Sequence, residues 1–299
     1  MLLKMKKKLN WFICLAIGVF AFAACSDDDD NGGSEEGKGT IKSISVQVDK
    51  GNTFSSLIDS VFVELSWDDD YDWGSEIITC SAYKGGNFTL ELPNEMDDLL
   101  LEPIYDEEEE DDDDFMQHMT ISNKSARTAA FQSLDAYNKK DGVVGEITRS
   151  SVNLSALQNM EDIDELMSIL SKGVSSVMYM YVDRDVTIKG SYTEKDEEIM
   201  DGIYGDAKYS ANLSLQKGWN VVALKETMQI NMAKETMTIS AELTSSVPSG
   251  LKWFFNDYSY DYDYDYDLRS SADSGTSKST PNFKLTPLFK KSKASKLFR

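Results

Sequence analysis

The side chains best placed to do chemistry in this chain of 299 residues are carboxylates. Asp68, Asp69, Asp70 and Asp72 stand between Trp67 and Trp73, residues 106–114 are acidic without a break, and Asp257, Asp261, Asp263, Asp265 and Asp267 follow near the end. With Asp27, Asp28, Asp29 and Asp30 these hold 22 of the 52 acids, and calcium, which takes six to eight oxygens, is the first chemistry to weigh. The spacing does not fit a calcium loop. Placing Asp261, Asp263 and Asp265 at its first three ligand positions puts Tyr266 where glycine is required and Ala272 where the closing glutamate belongs. Asp68, Asp70 and Asp72 put Trp73 and Thr79 there instead. In an extended backbone Asp261, Asp263, Asp265 and Asp267 share one face about 7 Å apart, and each pair repels by roughly 0.6 kcal/mol in bulk water, less in salt. A solvated loop tolerates that, and it is the favoured reading. An ordered strand there is expected to recruit Ca²⁺ or a basic partner.

Other catalytic chemistry finds little material. His118 is the one histidine, so a Ser-His or Cys-His nucleophile would have to use it, and its place beside an acid run suits an exposed loop. Zinc needs clusters of His and Cys that this sequence lacks, and no glycine-rich phosphate loop is present. Carboxylate pairs of the glycosidase type carry no signal, because any surface this acidic contains pairs at suitable distances. The expectation is a protein without enzymatic activity, with an unrecognised hydrolase ranked third among the functional readings.

The start of the chain is the most informative stretch. Lys4, Lys6, Lys7 and Lys8 precede a nearly continuous apolar run from Trp11 to Ala24, the pattern of a secretory signal peptide. At fourteen residues the run is shorter than the roughly 20 needed to cross a bilayer. Phe22-Ala23-Ala24-Cys25 resembles the bacterial lipobox, with Phe22 in place of the usual Leu. Ser26-Asp27-Asp28-Asp29-Asp30 resembles the acidic export signal of surface-exposed lipoproteins of the Bacteroidota. The resemblance implies cleavage before Cys25, palmitate-type acylation of its sulfur, and an outer-membrane anchor holding the folded part outside the cell. Each buried CH₂ of such chains is worth about 0.8 kcal/mol, so two or three chains hold a protein where one does not. Residues 26–39 would then form a flexible acidic tether spanning on the order of 20 Å. Two stretches, YKGGNFTLELP at 83–93 and YSANLSLQKGWNVV at 209–222, are similar to segments of an uncharacterised β-rich group of Bacteroides lipoproteins. Asp59-Ser60-Val61 resembles the O-glycosylation sequon of the same bacteria, which implies Ser60 as an attachment site.

Residues 1–24 carry four lysines and no acid, so the chain from Cys25 onward has 26 basic against 52 acidic side chains. Nucleic acid, which needs a basic footprint, is an implausible partner. Cys80 would be the one free thiol left after processing and acylation, which rules out an internal disulfide.

Alternation at period two marks the elements. Ile44, Val46 and Val48 alternate with Ser43, Ser45 and Gln47, and residues 61–67 repeat the pattern. Residues 76–83 and 87–92, joined through Gly85-Gly86, read as a hairpin. Residues 177–192 read as one long bent strand or as a pair broken near Asp183-Arg184, and 209–216, 219–224, 228–232 and 237–243 as a four-stranded meander. One amphipathic helix is expected, capped by Ser155 with Gln158, carrying Leu157, Met160, Ile163, Leu166 and Leu170 on one stripe and stopping at Gly173. Residues 124–140 lean to strands, and 93–123 give conflicting signals.

The resulting expectation is a mainly β protein, an antiparallel β-sandwich with one amphipathic helix and acidic disordered segments. Its parts are a leader at 1–24, a lipidated tether at 25–39, a β ectodomain at 40–256 as one body or as lobes at about 40–150 and 175–256, and an acidic then basic tail at 257–299. From Asn282 onward that tail carries six basic residues and no acid. The leading functional expectation is an outward-facing lipoprotein that binds, adheres or builds an envelope assembly. Its partners would be membrane lipid through acylated Cys25 and a glycan or protein ligand. A divalent-cation-binding β module is the second.

Overall fold

The structure is a computed structural model that describes residues 40–69, 72–105, 115–158, 160, 162–200, 203–231 and 236–258. It is mostly β, with sheets packed against one another as a β-sandwich. The strands run β1 Ser43–Gln47, β2 Ser60–Asp69, β3 Asp72–Ala82, β4 Asn87–Glu91, β5 Glu102–Pro103, β6 Thr120–Ile121, β7 Arg127–Phe131, β8 Ser133–Asn138 and β9 Gly142–Ser150. Two helices, α1 Leu154–Gln158 and α2 Ile163–Lys172, precede β10 Val174–Val182, β11 Val186–Met200, β12 Ile203–Leu215, β13 Gly218–Asn231, β14 Thr236–Thr244 and β15 Lys252–Asp257. Among the described residues no helix is long and apolar enough to cross a membrane.

One sheet has thirteen strands in the order β3-β2-β8-β9-β10-β13-β14-β12-β11-β6, with β15 on β9, β7 on β10 and β5 on β7. The pair β1-β4 forms the second sheet. Two hydrophobic cores result. Ile44, Val46 and Val48 of β1 and Phe88 and Leu90 of β4 pack with Val61, Val63, Leu134, Ile147, Trp253 and Phe255 in the first. Met116 and Met119 pack with Ile188, Ala211, Leu213 and Leu243 in the second. β10 and β13 serve both: Val177, Tyr179, Tyr181, Trp219 and Val221 belong to the first core, while Met178, Met180, Val182, Val222 and Leu224 belong to the second. Successive side chains of a strand point to opposite faces, so these two strands are covered on both sides.

Several local expectations change once strand partners are known. β3 and β4 form where alternation placed them but do not pair; β3 pairs with β2 and β4 with β1. Gly85 and Gly86 both adopt positive φ, and a Cβ on Gly86 would lie 2.7 Å from Gly51 Cα, so this connection packs against a neighbouring turn rather than closing a hairpin. The expected meander is also absent. Residues 219–224 and 228–231 are one strand, β13, and β14 inserts between β13 and β12, pairing antiparallel with the first and parallel with the second. The length of β13 allows this: β10 pairs along Gly218–Glu226 on one edge and β14 along Ala223–Asn231 on the other. Residues 177–192 are a pair broken at Asp183–Asp185, and 124–140 are strands, with Lys139–Asp141 turning β8 into β9.

The amphipathic helix is α2, preceded by the shorter α1. Its cap is Asp162, whose Oδ1 accepts from the amides of Asp164 and Glu165, and it ends at Gly173. Ser155 does not cap; Asn153 Oδ1 accepts from the Ala156 amide, and the Ser155 hydroxyl reaches Asn256 Oδ1 at 3.3 Å.

Candidate functional site: a carboxyl-bearing sheet face

Residues opposite each other in a ladder share a face, so the strand register decides which side chains meet. On the face turned away from the first core, Cys80 of β3, Phe62 of β2, Asp135 of β8, Glu146 of β9 and Asn256 of β15 form one row across five strands. Glu64 lies two residues from Phe62, opposite Ile77, and Ser133 lies opposite Thr148. The alternate residues Val61, Val63, Leu134, Ala136 and Ile147 are fully buried on the other side. Alternation thus puts three carboxyls from three strands, Glu64, Asp135 and Glu146, close together on one half-covered surface.

That placement perturbs two of them. Burial pushes the Asp135 carboxyl up to about 6, and the neighbouring Glu64 charge adds to the effect. Burial pushes Glu146 up to about 7, helped by Asp135 and opposed by a hydrogen bond from Ser133. Glu64, which is exposed, accepts from the Ser75 hydroxyl. The pair therefore holds protons at mildly acid pH and gains charge as pH rises through 6 and 7. Such groups can exchange protons near neutrality, and among the described residues they lie on a half-covered sheet face. Among the described residues no group of three His, Cys, Asp or Glu side chains is arranged to hold a metal ion.

Aromatic and aliphatic side chains border the carboxyls. Phe62 and Tyr137 meet edge-on with ring centroids 6.4 Å apart. Tyr137, Val143 and Ile77 are 36%, 45% and 54% exposed, and their register places all three on this face. Toward β15 the face becomes buried and polar: Asn256 Nδ2 donates to Thr148 Oγ1 at 3.0 Å, and Ser155 of α1 closes over Asn256. Further along, Ser150 pairs with Ser176, whose buried hydroxyl oxygen has no hydrogen-bond partner among the described residues. Glu226 of β13, opposite Val174 and Ala241, is buried, its Oε2 has no hydrogen-bond partner among the described residues, and burial raises its carboxyl well above the usual range.

A separate open groove of about 660 Å³ runs between β3 and the β1-β4 ribbon, where Ser45, Gln47, Ser81, Lys84, Asn87 and Thr89 present hydroxyl, amide and ammonium groups. His118, at the end of a 3-10 helix, is exposed and stacks on Tyr192 with ring centroids 3.9 Å apart.

Of the residues singled out in the sequence, Ser60 lies at the start of β2, half-buried and paired with Ala82 and Tyr137 in the ladder. Trp219 and Trp253 are core residues. Cys25, Ser26, Asp27, Asp28, Asp29, Asp30, Asp261, Asp263, Asp265 and Asp267 lie outside the described residues. Glu64, Asp135, Glu146 and Glu226 escaped the sequence reading because each stands outside the acid runs; only the alternation of Ser133, Asp135 and Tyr137 hinted at a polar sheet face. No protein-family model matches the chain, and it has no match among curated proteins or solved structures.

Proposed function

We propose that the protein is a lipid-anchored bacterial surface lipoprotein whose β body is held outward to bind a glycan or protein ligand without catalysing a reaction. The observation that carries this reading is the thiol of Cys25, set between an apolar run of fourteen residues and four aspartates, with the described residues beginning fifteen residues later at Thr40. Acyl chains on that sulfur partition into the membrane while the aspartates stay in water, and residues 26–39 separate the body from the bilayer. Binding is supported by the open polar groove beside β3 and by the carboxyl-bearing face with its exposed aromatic and aliphatic rim.

Intact-mass analysis of the protein from its native cells tests the anchor. The expected product begins at Cys25 and carries two or three acyl chains, and Cys25→Ser moves the protein out of the membrane fraction. Protease added to whole cells is expected to digest the β body. An unmodified Cys25 thiol, or a body that whole-cell proteolysis leaves intact, overturns the reading.

A further inference from the structure

We propose that the basic C-terminal segment, residues 282–299, docks on the outward face of β3, β2, β8 and β9. The surface is a sheet face that the described residues leave half-covered, and it has two matched components. Ile77, Tyr137 and Val143 are three of the five large hydrophobic residues that are well exposed among the described residues, and all three sit here with Phe62. Interspersed among them are Glu64, Asp135 and Glu146, of which Glu64 and Glu146 are met by the hydroxyls of Ser75 and Ser133. Clustered exposed apolar groups of this kind mark interaction sites, and the carboxyls select a basic occupant.

The segment has the complementary composition. It carries Lys284, Lys290, Lys291, Lys293, Lys296 and Arg299 with no acid, interleaved with Phe283, Leu285, Leu288, Phe289, Leu297 and Phe298. Chain geometry delivers it to the right place. β15 ends at Asp257 opposite Gly145, and Asn256 lies opposite Glu146, so the chain leaves the body beside the row of carboxyls. Tyr258 and Asn282 are 24 positions apart, and a linker of that length taken at coil dimensions reaches about 27 Å. β3 lies three strands from β9, roughly 14 Å away, so the whole face is within reach. A tether of this length makes docking intramolecular at an effective concentration near the millimolar range, enough for a modest contact to be populated. The inference does not depend on the lipid anchor.

Cys80 is an exposed thiol in the same row of side chains and serves as the reporter. In the full chain, alkylation of Cys80 by neutral iodoacetamide, quantified by peptide mass spectrometry, is expected to quicken at least threefold between 20 mM and 500 mM salt. The variant K290E/K291E/K293E is expected to react at the fast rate already at low salt and to lose the salt dependence. A photo-crosslinking residue at position 289 is expected to capture peptides from 60–64, 74–80 or 133–146 of the same molecule. Equal Cys80 rates in parent and variant, or crosslinks that go to a second copy or to lipid instead, overturn the proposal.

Discussion

Neutralising Glu146 tests the electrostatics of the sheet face. The carboxyl stands near pH 7 in the folded protein against an ordinary value of 4.5, so between those limits the folded state binds more protons than the unfolded state. Stability therefore falls as pH rises through this window. Each pH unit in the window is worth about 1.4 kcal/mol per group, so between pH 5 and pH 8 ionisation of Glu146 removes at most about 2.7 kcal/mol. The side chain is half-buried, and relaxation around it reduces this to about 2 kcal/mol. Glu146→Gln keeps the shape and an acceptor for Ser133 while deleting the charge that burial and the neighbouring Asp135 disfavour. The variant is expected to be about 2 kcal/mol more stable than the parent at pH 8 and within about 0.5 kcal/mol of it at pH 5. Urea midpoints at pH 5, 6, 7 and 8 with an unchanged m-value measure this. Parallel stability curves for parent and variant, or a variant less stable at pH 8, would refute the reasoning.

Two further substitutions probe the buried framework. Glu226→Leu removes a buried oxygen that has no hydrogen-bond partner among the described residues and is expected to raise the urea midpoint by the equivalent of about 1–2 kcal/mol; a lower midpoint contradicts the reading of that carboxyl as a cost to the fold. Gly145→Ala places a Cβ 2.2 Å from the Asn256 carbonyl oxygen and 2.6 Å from the Phe255 ring, so a loss of about 3 kcal/mol is expected, together with faster hydrogen exchange in β15 than in β11 or β12. Uniform exchange across β15, β11 and β12 would show that β15 is not pried from β9.

Strands covered on one face were legible and strand partners were not. β1 and β4 each alternate exposed and buried along their whole length, and that pattern is visible in their sequences. β13 is harder, because Lys225-Glu226-Thr227 reads as a turn whereas the strand runs straight through with Glu226 buried. A carboxyl inside a buried strand contradicts the sequence pattern, since such a group is normally paired or solvated. Partner choice depends on contacts distant in the chain: β4 leaves its neighbour β3 for β1, and β14 separates β12 from β13. The candidate site inherits that difficulty. Glu64, Asp135 and Glu146 become neighbours only when β2, β8 and β9 are aligned, so no local motif announces them.

The double coverage of β10 and β13 makes the two cores inseparable. Removing residues 40–150 would strip the first-core side of both strands and leave a row of Val, Tyr, Trp and Met side chains facing water. A cut near residue 150 or 175 should therefore yield two sticky fragments rather than two working halves, and denaturant should melt the body in a single step. Any partner that grips one end of the sheet thereby bears on the stability of the other.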